Sequence, residues 1–236
     1  MSGIIDFHSH ILPGIDDGSA SVEESVAMLR QAAAQGISHV IATPHFYARY
    51  DDPEVYFPAR RQAYLQLRRE LERDPGLPEV TVGAEVHFFS GISHSDALEA
   101  LTIGKKRCIL IEMPDSPWTE SMYQELENIS QRRDMIPIVA HVDRYISPFR
   151  TYGIPDHLAQ LPVLVQANAS FFLRSSTRSL ALKLLRQDKI HLLGSDCHNL
   201  TTRPPMLGDA VELIRQKSGE EPLARIRYYQ KELLAE

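Results

Sequence analysis

The chain has 236 residues, 43% of them apolar and 24% charged, and its 25 basic and 31 acidic side chains give a net charge of −6. That length suits one sizeable core rather than a small stapled module, and the acidic balance gives no reason to expect a basic nucleic-acid-binding surface. No apolar run approaches the roughly 20 residues of a membrane span, and two widely separated cysteines, Cys108 and Cys197, do not make a disulfide framework.

In chain order, Met1-Ser2-Gly3 shows neither a basic region nor a cleavable apolar segment, so the cytoplasm is the expected compartment. Ile4-Ile5-Asp6-Phe7 reads as a first buried strand running into His8-Ser9-His10, and a loop through Pro13-Gly14 and Asp16-Asp17-Gly18 follows. Side chains two positions apart on a strand share a face, so one divalent ion can touch both imidazoles, with a carboxylate from the loop beside them. Ser21 as N-cap with Glu24 three residues on forms a capping box; Val22, Val26, Leu29 and Ala33 line one helical face, and Gly36 ends the helix. A second strand at 37–42 completes a βαβ unit. Tyr64, Leu65, Leu67, Arg68 and Leu71 mark a further helix that stops at Asp74-Pro75-Gly76, and 180–185 is another. The remaining strands are expected at 80–86, 107–111, 136–140, 163–167 and 190–194, which makes seven. With no internal repeat or linker, residues 1–236 read as one α/β domain, a closed parallel barrel of fewer than eight strands.

In parallel α/β folds the loops at the C-terminal ends of the strands share one rim. Six of the seven expected strands end there in a metal-ligand type: His8 and His10, His45, Glu85, Glu112, His141, and Asp196 with His198; Asp17 makes nine candidates. A lone His or Glu at a strand end is usually structural. Nine on one rim point to a metal site, and so many nitrogen and oxygen donors exceed one Zn²⁺ and suit two or three ions, with Mn, Fe or Zn compatible with the mixture.

These residues sit in segments that resemble the PHP (polymerase and histidinol phosphatase) superfamily, and within it the manganese-dependent bacterial tyrosine phosphatases of the CpsB/CapC type. The similarity is carried by His8-Ser9-His10-Ile11-Leu12-Pro13-Gly14-Ile15-Asp16-Asp17-Gly18, Thr43-Pro44-His45, Gly83-Ala84-Glu85, Ile111-Glu112, Ala140-His141-Val142-Asp143-Arg144-Tyr145, Ser195-Asp196-Cys197-His198-Asn199 and Arg203-Pro204-Pro205. The resemblance implies a distorted (β/α)7 barrel with a trinuclear site at the C-terminal ends of its strands. It makes all nine residues ligands of Mn or a similar ion, with Glu85 bridging two ions and Arg144 and Arg203 binding phosphate. It further implies hydrolysis of phosphotyrosine by water activated at the ions, the tail of a bacterial tyrosine kinase as partner, and a role in capsular or extracellular polysaccharide synthesis. A phosphatase for a small metabolite such as histidinol phosphate is the alternative. Residue chemistry agrees on the arginines, because guanidinium forks grip phosphate oxygens bidentately. Oligomeric state and any general acid are left open.

Cys197 and Arg203 also satisfy the Cys-x5-Arg spacing of thiolate phosphatases, but Asn199-Leu200-Thr201-Thr202 lacks the glycines that let amides converge on an anion. Amidohydrolase chemistry would ask for a Lys at a strand end, and none of these strands has one. His39, His87, His94, His157 and His191 read as packing or solvent-facing residues. Asp6, two residues before His8 on the same face, is either a carboxylate supporting a ligand from behind, the preferred reading, or a buried, hydrogen-bonded one. Trp118 and the group Tyr47, Tyr50, Tyr56 and Phe57 either shape the mouth of a phosphotyrosyl pocket or pack loops.

Overall fold

A computed structural model describes residues 3–235; Met1, Ser2 and Glu236 lie outside it, and with them the reading of the first two residues. The chain starts with β1 (Asp6–Ser9), α1 (Val22–Ala34), β2 (His39–Ala42), β3 (His45–Phe46), α2 (Pro53–Arg73), β4 (Glu79–Val82), β5 (Glu85–His87) and α3 (Leu98–Leu101). It continues through β6 (Cys108–Glu112), α4 (Glu120–Arg133), β7 (Ile136–Val139), α5 (Ile154–Leu158), β8 (Leu164–Asn168), α6 (Ala169–Leu173), α7 (Arg178–Arg186), β9 (Leu192–Gly194), α8 (Leu207–Ser218) and α9 (Glu221–Leu234).

Every strand pairing between these elements is parallel. The order is β1-β2-β4 in one sheet and β3-β5-β6-β7-β8-β9 in the other. The expected strand at 37–42 forms as β2, but a further short strand, β3, follows it beyond Thr43-Pro44, and the expected strand at 80–86 is broken into β4 and β5, which gives nine segments among the described residues instead of seven. The breaks are local chemistry. Pro44 has no N–H for the ladder, and at Gly83 a Cβ would lie 2.3 Å from Ile103 Cγ1, so the backbone must pass bare. Both strands kink at this level, yet the hydrogen bonds continue, Gly83 N–H to Ala42 O (2.8 Å) and Glu85 N–H to Pro44 O (3.0 Å). The curled sheet comes back on itself where His10 N–H donates to Cys197 O (2.9 Å) and Asp196 N–H to His8 O (2.8 Å), around a parallel Ser9–Cys197 bridge.

Period-two alternation then sorts the inner face. Along β6 it runs Cys108, Leu110, Glu112, and along β8 Leu164, Gln166, Asn168, apolar at the start of each strand and polar at its end. A smaller cluster of Phe7, Ile41, Leu110, Ile138 and Leu192 is closed by Leu233 of α9. Gln230 of α9 ties that helix to the first strand: its Oε1 accepts from Ile5 N–H (3.0 Å) and its Nε2 donates to Ile5 O (2.7 Å), across 225 positions.

The N-cap of α1 is as expected, with Ser21 Oγ accepting from Glu24 N–H; the returning Glu24 carboxylate takes the N–H of Ala20. Its buried face carries Ala32 rather than Ala33. Helix α2 begins well before its apolar repeat, at an Asp52 N-cap followed by Pro53. No helix among the described residues is long and apolar enough to cross a membrane.

Candidate metal centre

All nine predicted ligand residues converge where the strands end. Glu85, 1% exposed, is the hub: its Oε2 lies 3.3 Å from His8 Nε2, 3.4 Å from His10 Nε2 and 3.1 Å from His45 Nδ1, and its Oε1 lies 2.7 Å from His141 Nε2. Glu112 approaches His141 Nε2 at 3.4 Å, and Asp196 Oδ1 lies 3.6 Å from His8 Nε2 and 3.5 Å from His10 Nε2. Asp17, from the exposed loop, reaches His45 and His198, both at 3.4 Å. Three groupings have ligand atoms close enough to share an ion: His10, Asp17, His45 and His198; His8, His10 and Glu85; His45, Glu85 and Glu112.

The orientation of the rings shows what this space asks for. Gln166 Oε1 takes the backbone N–H of His141 at 2.6 Å, a group that only donates, so the same oxygen can only accept from His8 Nδ1 at 3.2 Å. Asp16 Oδ2 likewise holds His10 Nδ1 at 2.8 Å, and the carbonyl of Asp196 holds His198 Nδ1 at 3.1 Å. With Nδ1 of each ring tied to an acceptor, Nε2 of His8, His10 and His198 turns a lone pair into one space, the pattern of metal-binding histidines with their outer partners. There His8 Nε2 and His10 Nε2 sit only 3.1 Å apart. Glu85 Oε2, Asp196 Oδ1, His45 Nδ1 and His198 Nε2 are buried without a hydrogen-bond partner of proper geometry among the described residues. Lone pairs and carboxylate oxygens facing one another demand a cation, so the donor set fits divalent metal.

Charge follows the geometry. Burial works against protonating His10, but Asp16 and Glu85 outweigh it and raise its pKa to about 10; Asp16, although mostly buried, is pulled to about 2 by His10. Burial would also raise Glu85, yet the imidazoles around it hold it well below the usual range. His198 falls to about 4 through burial and the nearby His10. His141 (φ 29°) and Asp196 (φ 53°) both occupy the left-handed region that L-residues avoid, strain of the kind found at working sites.

The two predicted arginines border this centre. Arg144 donates to Glu112 Oε1 (3.0 Å) and Asp196 Oδ2 (2.6 Å), and Arg203 Nη2 comes within 2.6 Å of Asp196 Oδ1; each guanidinium is about one-third exposed (35% and 36%). A polar cleft of about 420 Å³ is walled by Arg144, Arg203, Asp196, Asn168 and Arg174. Arg144 also borders a second cleft of about 510 Å³, aromatic in character.

Several roles differ from expectation. Asp6 accepts the N–H groups of Ser195 (2.8 Å) and His8 (3.3 Å), so it is the buried, hydrogen-bonded carboxylate that clips the backbone of β1 to that after β9. His87, read as uninvolved, packs Nδ1 against Glu112 Oε2 at 3.2 Å. Asp16, Gln166 and Asn168 were missed; Asn168 Nδ2 donates to Asp196 Oδ2 (2.9 Å), and β8, which supplies no candidate ligand, supplies both amides. Tyr47 packs on His45 (5.2 Å between ring centres), Tyr56 and Phe57 pack on Phe46, and Tyr50 is exposed. Cys197 is 2% exposed and burial pushes its thiol up, which removes the nucleophile a thiolate mechanism needs.

The family described as "Capsular polysaccharide synthesis, CpsB/CapC" matches residues 4–235. The tyrosine-protein phosphatase YwqE of Bacillus subtilis (strain 168) is 29% identical over 231 residues, covering 92% of this chain and 86% of that protein. The tyrosine-protein phosphatase CpsB of Streptococcus agalactiae serotype III (strain NEM316) is 25% identical over 229 residues, covering 92% of each. A crystal structure from work on YwqE of Bacillus subtilis and CpsB of Streptococcus pneumoniae, described as unique metal-dependent tyrosine phosphatases, superposes with a TM-score of 0.82 at 27% identity, covering 98% of this chain and 94% of that one. The lactonase Lmo2620 of Listeria monocytogenes shares the fold alone, at a TM-score of 0.55 and 13% identity.

Proposed function

The chain belongs to the CpsB/CapC family of capsular polysaccharide synthesis, and from that premise we propose that it is a metal-dependent protein-tyrosine phosphatase. One observation carries the reading: four imidazoles close on Glu85 with their outer nitrogens already committed elsewhere or facing its oxygens, in a buried space that only cations satisfy. In this reading residues 1–236 form one domain, a distorted (β/α)7 barrel. His8, His10, Asp17, His45, Glu85, Glu112, His141, Asp196 and His198 would hold the divalent ions of a trinuclear centre, with Glu85 at the middle of the donor set. Manganese is the proposed metal, because imidazole and carboxylate donors without thiolate suit it.

Bound divalent ions supply Lewis acidity, bringing the pKa of water from about 15.7 to near 7. The residues of the chain do the rest. Arg144 and Arg203 grip phosphoryl oxygens with their forked donors, and their contacts to Glu112 and Asp196 hold those forks at the edge of the centre. Gln166 and Asp16 keep His8 and His10 in the tautomer that leaves Nε2 free. A phenol of pKa about 10 departs without strong help from an acid, so this reading needs no named general acid. The proposed partner is a phosphotyrosine-bearing tail of a bacterial tyrosine kinase, and the proposed compartment is the cytoplasm.

The deciding experiment is hydrolysis of a phosphotyrosyl peptide by manganese-reconstituted protein, with a phosphoserine peptide and histidinol phosphate as controls. Turnover of the phosphotyrosyl peptide that EDTA abolishes is the expected result. Preferred turnover of histidinol phosphate, or activity indifferent to EDTA, would overturn it.

A further inference from the structure

The phosphoryl site proposed above has two arginines, but apart from the ease with which a phenol leaves it offers nothing that recognises an aromatic ring. The second cleft at Arg144 does. Rings make most of its wall, Trp118, Tyr123, Tyr145 and Tyr152, with prolines beside them; Asp115 and Ser116 give it a polar edge, and Arg144 is its one cation. At about 510 Å³ it falls in the ordinary range of small-ligand pockets. The walls are fixed in place: Trp118 Nε1 donates to Pro114 O at 3.2 Å, and its ring lies 5.0 Å from that of Tyr145 and 5.6 Å from that of Tyr123, which stacks on His157 at 3.7 Å. Tyr145 joins the cleft to the metal centre, since its Oη accepts from Met113 N–H (2.8 Å) and lies 3.2 Å from His141 Nδ1. Tyr152 is 72% exposed at the rim, an aromatic ring left in water at no evident benefit to the fold.

Arg144 is the wall shared by this cleft and the polar one that holds Arg203 and Asp196. A phosphoryl group gripped by both arginines therefore has a hydrophobic, ring-lined space on the far side of Arg144 for whatever its ester oxygen carries. We propose that this cleft is the aryl subsite: it receives the phenyl ring of the phosphotyrosyl substrate between Trp118 and Tyr152, with the Arg144 guanidinium at the ring's phosphate end, and thereby selects aryl over alkyl phosphomonoesters. The inference rests on the phosphatase reading but is tested apart from it. A ring gains edge and face contacts here that a seryl methylene cannot make.

Trp118 is the single tryptophan of the chain, so its fluorescence reports on this cleft alone. Phenylphosphonate and methylphosphonate, neither of which can be hydrolysed, are titrated into the metal-loaded protein. The expected result is a saturable change of Trp118 emission with phenylphosphonate and none with methylphosphonate, with Tyr152→Ala weakening phenylphosphonate about tenfold. In hydrolysis, Trp118→Ala lowers the ratio of kcat/KM for phenyl phosphate to that for an alkyl phosphate by a similar factor, and Trp118→Phe restores most of it; comparing this ratio between variant and parent protein cancels the difference in leaving group. Equal emission changes with both phosphonates, or inhibition by phenylphosphonate that leaves Trp118 emission unmoved, would overturn the aryl subsite. A phenylphosphonate-specific signal in a protein that hydrolyses no phosphomonoester would support the cleft and remove the phosphatase reading instead.

Discussion

Replacing Gln166 by Leu tests the idea that β8 organises a metal centre to which it gives no ligand. Gln166 is fully buried, and its oxygen is the acceptor for both His141 N–H and His8 Nδ1–H. Leucine has nearly the same size, so no cavity opens, but both donors lose their partner. A buried donor without a partner costs about 1–3 kcal/mol, so the metal-free protein should lose about 2–6 kcal/mol. His8 is then free to take the other tautomer, with its proton on Nε2 and its lone pair turned from the centre, and metal affinity should fall about 10–100-fold, the usual effect of losing an outer partner. Urea unfolding in EDTA reads the first quantity, and manganese titration by calorimetry at fixed pH reads the second. A variant whose metal-free stability changes by less than about 0.5 kcal/mol and whose affinity stays within about twofold would refute the reasoning, because it would mean that His8 needs no partner to present Nε2.

His141→Ala and Asp196→Ala should reduce phosphotyrosyl hydrolysis to background, whereas Arg144→Ala should leave metal content intact and cost about 10–100-fold in kcat/KM, the worth of charge-assisted bonds to phosphate; metal analysis beside the kinetics separates the two cases. Cys197→Ala should keep its activity, and iodoacetamide should not inactivate the native protein, because the thiol is buried and protonated; inactivation by iodoacetamide with resistance to EDTA would reverse this. His191 gives a dependence on pH. Burial holds its folded pKa below 6.5, and its Nδ1 accepts from Val165 N–H at 2.9 Å. A group whose folded pKa is depressed contributes stability above its unfolded value and loses it as pH falls. Unfolding free energy should therefore drop below about pH 6.5, and less steeply in His191→Gln; an unchanged slope in the variant would count against this account.

Much of the centre could be read from sequence because its donors are chemically conspicuous and fall at strand ends. His8 and His10 share a face, and His45, Glu85, Glu112, His141 and Asp196 each close a run of apolar residues. What could not be read has no such mark. Gln166 and Asn168 look like any polar pair on a strand, and only their distances to His8, His141 and Asp196 reveal their work. Asp16 and Asp17 are adjacent in sequence, and nothing local says that the first turns inward to His10 while the second reaches out to His45 and His198. His87 lies two positions beyond Glu85 on the same strand and could have been tried as a rim residue. The break at Gly83 lies inside the apolar run 80–86, and the short β3 beyond Thr43-Pro44 is too brief to show a period, because periodicity detects burial but not bending. Helix α4, whose exposed face is dense in Glu, Gln and Arg, offered too weak an apolar stripe to be noticed.

The amide of Gln230 gripping Ile5 has a consequence for biosynthesis. On the ribosome, β1 emerges long before the groups that lock it, which follow only after a further 225 positions. The candidate ligands themselves are strewn from position 8 to position 198. Assembly of the full ligand set consequently waits for the segment at 196–198, and a product truncated before α9 would leave Ile5 untethered and the small cluster beneath the centre without Leu233. Contacts of such long range fold slowly, so the strand that carries His8 is among the last parts of the fold to be fixed.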